Sequence, residues 1–360
     1  MIGIIGGYGS IGFEAAKILK NHYGEELVVA GRNPEDMGLV KQSFFKDIEV
    51  RGLDISDFTA IKQLFKCCDT VINCTGAILD TSALADGIDG CKVKYADIYE
   101  NVSASEKLQN KVVAAVFEVG SLPGLSALIP RYLAEQLNMP QKLFFSYEAM
   151  GSFTAAAAKE YLEGLFEQDK YMMVEWKKGK LVPVCGEVLS QDGLKADRQV
   201  FPYFDKEAEY LADTLKLEEG RWNMVLRGEH TIRVLTSARE LYKKNPLETI
   251  EALRKASTLD LLYDCSYVKM ETELKGYKET KRLTVKACSP ERLTGAAAAI
   301  TAYLLHKNML PEGVYTLGSC ENVKLVMEQL LSMKGLVDVV AFSEVCNNGF
   351  LEETFVEGEI

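Results

Sequence analysis

Histidine and tryptophan are scarce in this 360-residue chain, which has three of the first (His22, His230, His306) and two of the second. No histidine stands at metal-ligand spacing from another histidine or a cysteine, so no metal site is expected. The nine cysteines include no Cys-x-x-Cys pair and their number is odd, which suits reduced thiols in a reducing compartment. Basic residues are outnumbered: 41 Lys and Arg against 52 Asp and Glu leave a formal charge of −11. That charge repels a polyanion, so nucleic acid is not an expected partner. Long apolar runs are also missing; Gly295–Leu305 falls well short of the roughly 20 residues of a membrane span, and no membrane association is expected. The first seven residues run straight into a strand and a glycine turn without a basic or apolar leader, so a cytoplasmic location is expected.

What is present is an ordinary globular composition, 48% hydrophobic and 26% charged, in a chain long enough for two domains. Over the first 120 or so residues, apolar runs alternate with segments of helical period, the pattern of a parallel sheet wrapped by crossovers. Strands are predicted at Ile2–Gly6, Leu27–Ala30, Ile48–Gly52, Thr70–Cys74, Val93–Asp97 and Val112–Val119. Helices are predicted at Ile11–Asn21, Asp36–Phe44, Phe58–Lys66, Thr81–Ile88 and Ala104–Gln109. This is a doubly wound, six-stranded Rossmann sheet. After Leu122-Pro123-Gly124 and a helix over Leu125–Leu137, the character changes. Runs at Leu143–Met150, Tyr171–Trp176, Leu181–Cys185, Tyr267–Leu274 and Lys281–Cys288 read as hairpin strands. They predict an α+β substrate domain with a mixed or antiparallel sheet. Helices at Pro290–His306 and Glu321–Lys334 are expected to return to the first domain. The expected α/β organisation is thus a nucleotide domain over 1–140 plus 290–360 and a substrate and dimerisation domain over 141–289.

Gly7-Tyr8-Gly9-Ser10-Ile11-Gly12 matches G-x-G-x-x-G directly after an apolar strand and before an amphipathic helix. In that context Gly7 is expected to make the tight turn, Gly9 to let backbone N–H groups approach a pyrophosphate, and Gly12 to allow close helix packing. At the end of the second strand an NAD site would present Asp or Glu. Here Ala30-Gly31-Arg32-Asn33 presents a guanidinium, suited to a 2′-phosphate, so NADP(H) is favoured over NAD(H). The alternative is that Arg32 is simply an exposed arginine. Asp54 is expected near the adenine or as the cap of the next helix, and Cys74, Thr75 and Gly76 beside the nicotinamide ribose. For acid/base chemistry Asp97 is the first choice, since a carboxyl in a dry pocket can be raised toward neutrality; Tyr99 is the second. The competing reading has Asp97 capping the loop and helix around Asn101–Ser105. His230 could hand over a proton near neutral pH, unless it is merely solvated.

The glycine motif, Ala30-Gly31-Arg32-Asn33, Tyr95-Ala96-Asp97 and Gly120-Ser121-Leu122-Pro123-Gly124-Leu125-Ser126 together resemble the saccharopine dehydrogenase-like family, which includes saccharopine reductases and lysine 6-dehydrogenases. The resemblance continues through Phe201-Pro202-Tyr203, Leu226-Arg227-Gly228-Glu229-His230 and Leu293-Thr294-Gly295, and so spans nearly the whole chain. It implies an NAD(P)-dependent oxidoreductase acting on the imine or amine of an amino-acid-like substrate, built as a homodimer. Arg227 matches the family arginine that would anchor a substrate carboxylate, against the alternative of an ion pair with Glu229. One departure concerns the pocket: the family commonly reads Leu-Arg-aromatic-Pro-Gly-His, and here the segment is shorter and lacks the proline. Two other functions fit the scaffold, a biosynthetic carbonyl or imine reductase and a non-catalytic sensor of NADP(H).

Overall fold

The computed structural model describes residues 1–75, 80–164, 171–184, 197–347 and 350–356. The chain divides into two compact units, Met1–Leu128 with Glu291–Ser332, and Ile129–Pro290 with Met333–Ile360.

Unit 1 opens with β1 (Ile2–Ile5), α1 (Ser10–Asn21), β2 (Leu27–Gly31), α2 (Leu39–Phe45), β3 (Glu49–Gly52) and α3 (Phe58–Cys67). It continues with β4 (Thr70–Asn73), α4 (Thr81–Cys91), β5 (Lys94–Asp97), α5 (Val102–Leu108) and β6 (Ala114–Phe117), and the unit boundary falls inside α6 (Leu125–Ala134). Every residue of β1, β2, β4 and β6 is buried, as expected of parallel strands covered on both faces. β3, with Glu49 and Arg51, is the exposed edge.

Unit 2 contributes β7 (Lys142–Met150), α7 (Ala155–Gly164), β8 (Tyr171–Met172), β9 (Val174–Lys177), β10 (Lys180–Pro183), β11 (Arg198–Phe204) and α8 (Lys206–Thr214). Then follow β12 (Glu219–Arg227), α9 (Glu229–Thr236), α10 (Ala238–Lys244), α11 (Pro246–Asp260), β13 (Tyr267–Lys275) and β14 (Glu279–Ala287). The chain returns to unit 1 through α12 (Pro290–His306), β15 (Gly313–Thr316) and α13 (Val323–Ser332), and ends in unit 2 with β16 (Asp338–Asn347) and β17 (Phe350–Val356).

The first sheet is parallel, in the order β15-β6-β5-β4-β1-β2-β3. Successive strands run outward one way from β1 and then, from β4, the other way. The order reverses between β1 and β4, and open α/β sheets take ligands at the strands' carboxyl ends at such a switch point. The sheet has seven strands and not the six expected: β15 is short, follows Pro311, and pairs with β6 from nearly 200 residues away in sequence. The Ala-rich α12 packs tightly on α1. A Cβ at Gly295 would stand 2.7 Å from Glu14 Cβ and 3.0 Å from the Ile11 carbonyl oxygen, so the small residues serve helix packing.

The second sheet is mixed and ten-stranded. β12 and β7 run parallel and the other pairings are antiparallel. Residues 333–360, assigned from sequence to the nucleotide domain, lie in unit 2 because β16 hydrogen-bonds along β14 and β17 along β16. The tract between Glu229 and Asp260, where no helix was expected, forms α9, α10 and α11. With α7 these helices close a small core around Ala158, Leu162, Ala238, Ile250 and Leu253.

Among the described residues no helix is long and apolar enough to cross a membrane, and no group of three His, Cys, Asp or Glu could hold a metal ion.

Candidate active site

The glycine loop joins β1 to α1. Gly6 takes the left-handed conformation (φ +75), so the tight turn assigned to Gly7 belongs to its neighbour. Gly7 is needed for a different reason: a Cβ there would lie 2.7 Å from Val29 Cβ on β2. Both N–H groups donate to the Ala30 carbonyl, at 2.7 and 3.2 Å, and Gly9 N–H donates to the Gly6 carbonyl at 2.8 Å. Gly12 lies directly on that carbonyl. A Cβ at this position would overlap the Gly6 oxygen and come within 2.8 Å of both Gly6 C and Gly7 Cα. Helix α1 begins at Ser10 and Ile11 with Gly9 as N-cap, no capping side chain and no acidic residue in its first turn. Its positive end is therefore left to an external anion.

Tyr8 does not point along the helix start; its ring covers Gly31, where a Cβ would meet the ring at 2.6 Å. Burial and nearby Glu35 push its phenol upward. Lys41 from α2 donates to the Tyr8 carbonyl at 2.6 Å and is held below the usual lysine range by burial. Nothing in the sequence singled it out.

Arg32 follows β2 directly, is exposed, and makes no hydrogen bond or ion pair among the described residues. Asn33 donates to Asp36 at 2.9 Å. Asp54 is not the cap of α3. It accepts from the Ser56 N–H at 2.9 Å and hydroxyl at 2.8 Å, bonds that hold its carboxyl below the usual range with a further contribution from Arg32. The cap is Asp57, which accepts from Thr59 and Ala60.

At the carboxyl ends of β4 and β5 lies a buried polar cluster. Asp97, 2% exposed, accepts from the Tyr95 hydroxyl (2.6 Å), the Asn73 amide (3.1 Å) and the Tyr99 N–H (3.0 Å). Burial raises its carboxyl to about 7 against the pull of these donors. Thr75 donates through N–H and hydroxyl to Asn73 Oδ1, and Cys74 is buried with its thiol pushed up by burial and by Asp97. Asp97 thus spans two strand ends and the first loop residues. The cap of α5 is Asn101, not Asp97. Tyr99 is half-buried in the same loop, and Gly76 lies outside the described residues. Gly124 (φ +122) closes the Pro-Gly turn, while Ser121 bonds Thr294 of α12 at 2.9 Å, which accounts for that motif structurally.

In unit 2 the strand ends gather a second polar group. Arg198 and Arg227 face each other across the β11/β12 ladder, an arrangement that like charges disfavour unless an anion is shared. Glu148 on β7 is that shared anion. It is buried, accepts from the Tyr267 hydroxyl at 2.5 Å, and lies 3.7 Å from Arg198 and 3.8 Å from Arg227. Asp197 and Asp264 stand 3.6 and 3.9 Å from Arg227. None of these contacts to Arg227 is a hydrogen bond, and its buried Nε has no hydrogen-bond partner among the described residues. The ion pair with Glu229 does not form; Glu229 pairs with Arg233 at 2.6 Å. His230, at the start of α9, bonds Asp260 at 2.8 Å. Glu148, Arg198, Tyr267 and Asp260 do not stand out in the sequence. The available signal was weak: Glu148 is a single acidic residue within a largely apolar strand, Arg198 and Tyr267 open strands, and Asp260 ends a helix.

Residues 2–119 match the sequence model of the family described as Saccharopine dehydrogenase NADP binding domain. No curated protein matches the chain. Among solved structures, saccharopine dehydrogenase (L-Glu forming) from Saccharomyces cerevisiae superposes with a TM-score of 0.66 at 13% identity, covering 94% of this chain and 99% of its own. A probable dehydrogenase from Thermotoga maritima reaches 0.45 at 13% identity, covering 92% and 93%. Residues 2–119 therefore carry the sequence pattern of this NADP-binding domain, and the chain shares the fold of saccharopine dehydrogenase, with a Rossmann sheet in its first unit.

Proposed function

We propose that the protein is an NADP(H)-dependent oxidoreductase that transfers a hydride to or from the carbon of a C–N bond in an amino-acid-derived substrate. The observation that carries this reading is Arg32. Where a dinucleotide lacking the 2′-phosphate calls for a carboxylate, this chain has an exposed guanidinium with no ion-pair partner among the described residues, one strand away from an uncapped helix start. The residues fit the cofactor: Gly12 lines a cradle that a Cβ would fill, the first-turn N–H groups of α1 suit a pyrophosphate, and Arg32 suits the 2′-phosphate. Bound NADPH supplies the hydride.

The rest is done by the chain. Asp97 and its three donors keep the ends of β4 and β5 in place, with Tyr99 in the loop that follows. Arg227 and Arg198 supply guanidinium groups for a carboxylate. Glu148, Asp197 and Asp264 oppose a cationic nitrogen, so the cluster's mixed charge suits a zwitterion. The name of the S. cerevisiae protein gives saccharopine, an amino acid, as what that protein acts on, which supports the same class of chemistry here.

Arg32→Asp is the test of the cofactor. Losing a bidentate charged pair and placing a carboxylate against the phosphate is expected to weaken NADPH binding about 100-fold, near 2.7 kcal/mol, with NADH changed less than about threefold. Equal losses in a fluorescence titration would remove the preference. NADPH consumption across a panel of amino acids paired with oxo acids or aldehydes tests the C–N chemistry. Saturable binding without consumption on any pair would instead mark a sensor, and consumption with a carbonyl alone a carbonyl reductase.

A further inference from the structure

The turn from β12 into α9 is shaped by a residue from another helix. Gly228 has φ +93, and a Cβ there would lie 2.5 Å from Asp260 Cγ. The missing side chain makes room for Asp260, the last residue of α11, which is 6% exposed. Its carboxylate accepts from His230 N–H at 3.0 Å and Thr231 N–H at 2.9 Å, and so caps α9 in place of the side chain that Gly228 lacks. Those two bonds complete the cap. A third contact goes further: His230 Nδ1 lies 2.8 Å from Asp260 Oδ1.

An ionised carboxylate only accepts. Burial works against the charge on Asp260, but the donors from Thr231 and His230 outweigh it and hold the carboxyl below the usual range. Nδ1 must therefore carry the proton when the ring is neutral, which leaves the lone pair on Nε2. The imidazole itself is not closed in; the side chain is 39% exposed. The same end of α11 also reaches the substrate cluster, since Asp264, four residues on, stands 3.9 Å from Arg227.

We propose that Asp260 is a positioning residue that locks His230 in the Nδ1–H tautomer and turns its Nε2 into the proton acceptor and donor for a substrate whose carboxylate is anchored at Arg227. The substrate half of this statement rests on the reading of Arg227 given above. The step is a proton transfer alone. An ammonium of the substrate gives one proton to Nε2, leaving a neutral amine and an imidazolium whose charge Asp260 offsets; the reverse step returns it. No electrons pass through the pair. Asp260 supplies orientation and countercharge and does not itself accept the proton.

With three histidines in the whole chain, ¹⁵N NMR of the imidazoles resolves the question on the free protein, and His230→Gln identifies the signals. Neutral His230 is expected as the Nδ1–H form, and Asp260→Asn is expected to shift it toward Nε2–H while α9 persists by circular dichroism. An Nε2–H ring in the unaltered protein, or a tautomer indifferent to Asp260→Asn, overturns the lock. Carbethoxylation of His230 by diethyl pyrocarbonate, followed by mass spectrometry, reads Nε2 separately. Glutarate is expected to slow it about tenfold or more, and to lose that effect in Arg227→Met, whether or not a turnover assay is in hand. Failure of glutarate to protect the unaltered protein separates His230 from the anchor and overturns the relay. Absence of turnover on every substrate pair, with tautomer and protection as expected, counts against the proposed reaction and not against the dyad.

Discussion

Gly12→Val is expected to abolish saturable binding of both NADPH and NADH, raising the dissociation constant at least about 100-fold. The first β-carbon already overlaps the Gly6 carbonyl oxygen and comes within 2.8 Å of Gly6 C and Gly7 Cα. All three are backbone atoms of the turn itself, so no rotamer change relieves the contact. The loop has to move away from α1, which pulls the Gly9-to-Gly6 bond apart and spoils the array of N–H groups at the helix start. Overpacking of this kind costs about 1–3 kcal/mol of stability in addition. Gly90→Ala is the control. That glycine lies in α4, and a β-carbon added there would meet no atom within 4 Å, so the substitution should leave binding unchanged and stabilise slightly. Isothermal titration of the two variants decides the matter. NADPH affinity in Gly12→Val equal to that of the parent protein would place the cofactor elsewhere.

Asp97→Asn has the second large expected effect, on stability and its pH dependence. Three donors converge on the carboxyl, two on Oδ2 and one on Oδ1. An amide has one oxygen, so at least one donor faces an NH₂ group, at about 1–3 kcal/mol for a buried unmatched pair. In the parent protein, burial raises the carboxyl to about 7, above its unfolded value near 4. Between these values the folded form holds a proton that the unfolded form has lost. The contribution is therefore complete below about pH 4 and is lost as pH rises through about 7. Thermal melts of the parent protein should show this falling slope, and Asp97→Asn should flatten it. Turnover is expected to fall about tenfold or more as the ends of β4 and β5 loosen, with NADPH affinity within about threefold. A parallel pH dependence of melting in both proteins would remove the buried carboxyl as its source.

Much of the nucleotide unit was legible because its signals are local. A parallel strand buried on both faces tends to be an uninterrupted apolar run, and Ile2–Ile5 and Leu27–Gly31 are such runs, while β4 keeps Val71 and Ile72 between the buried polar Thr70 and Asn73. The glycine turn announced itself through spacing, although only the three-dimensional turn showed that Gly6 carries the left-handed angle while Gly7 and Gly12 answer to crowding. The second unit was less legible. Its strands β12, β7 and β13 are neighbours in the sheet but far apart in sequence, and β17 returns to this sheet after the chain has visited the other unit. α9 to α11 were not expected; residues such as Ala238, Ile250 and Leu253 are brought into one small core with α7 only in the folded unit.

Taken alone, the order of residues determined the Rossmann frame, the place of the phosphate loop and the basic residue at the end of β2, since each depends on neighbours within a few positions. Tertiary structure alone decided which partners the polar side chains meet. Asp260 reaches His230 across 30 residues, Tyr267 reaches Glu148 across 119, and Asp97 joins two strands through Asn73 and Tyr95. The physical reason is that strand register and helix packing are collective: they follow from burying whole faces at once, and no single residue's type reveals which distant donor or acceptor that burial will bring beside it.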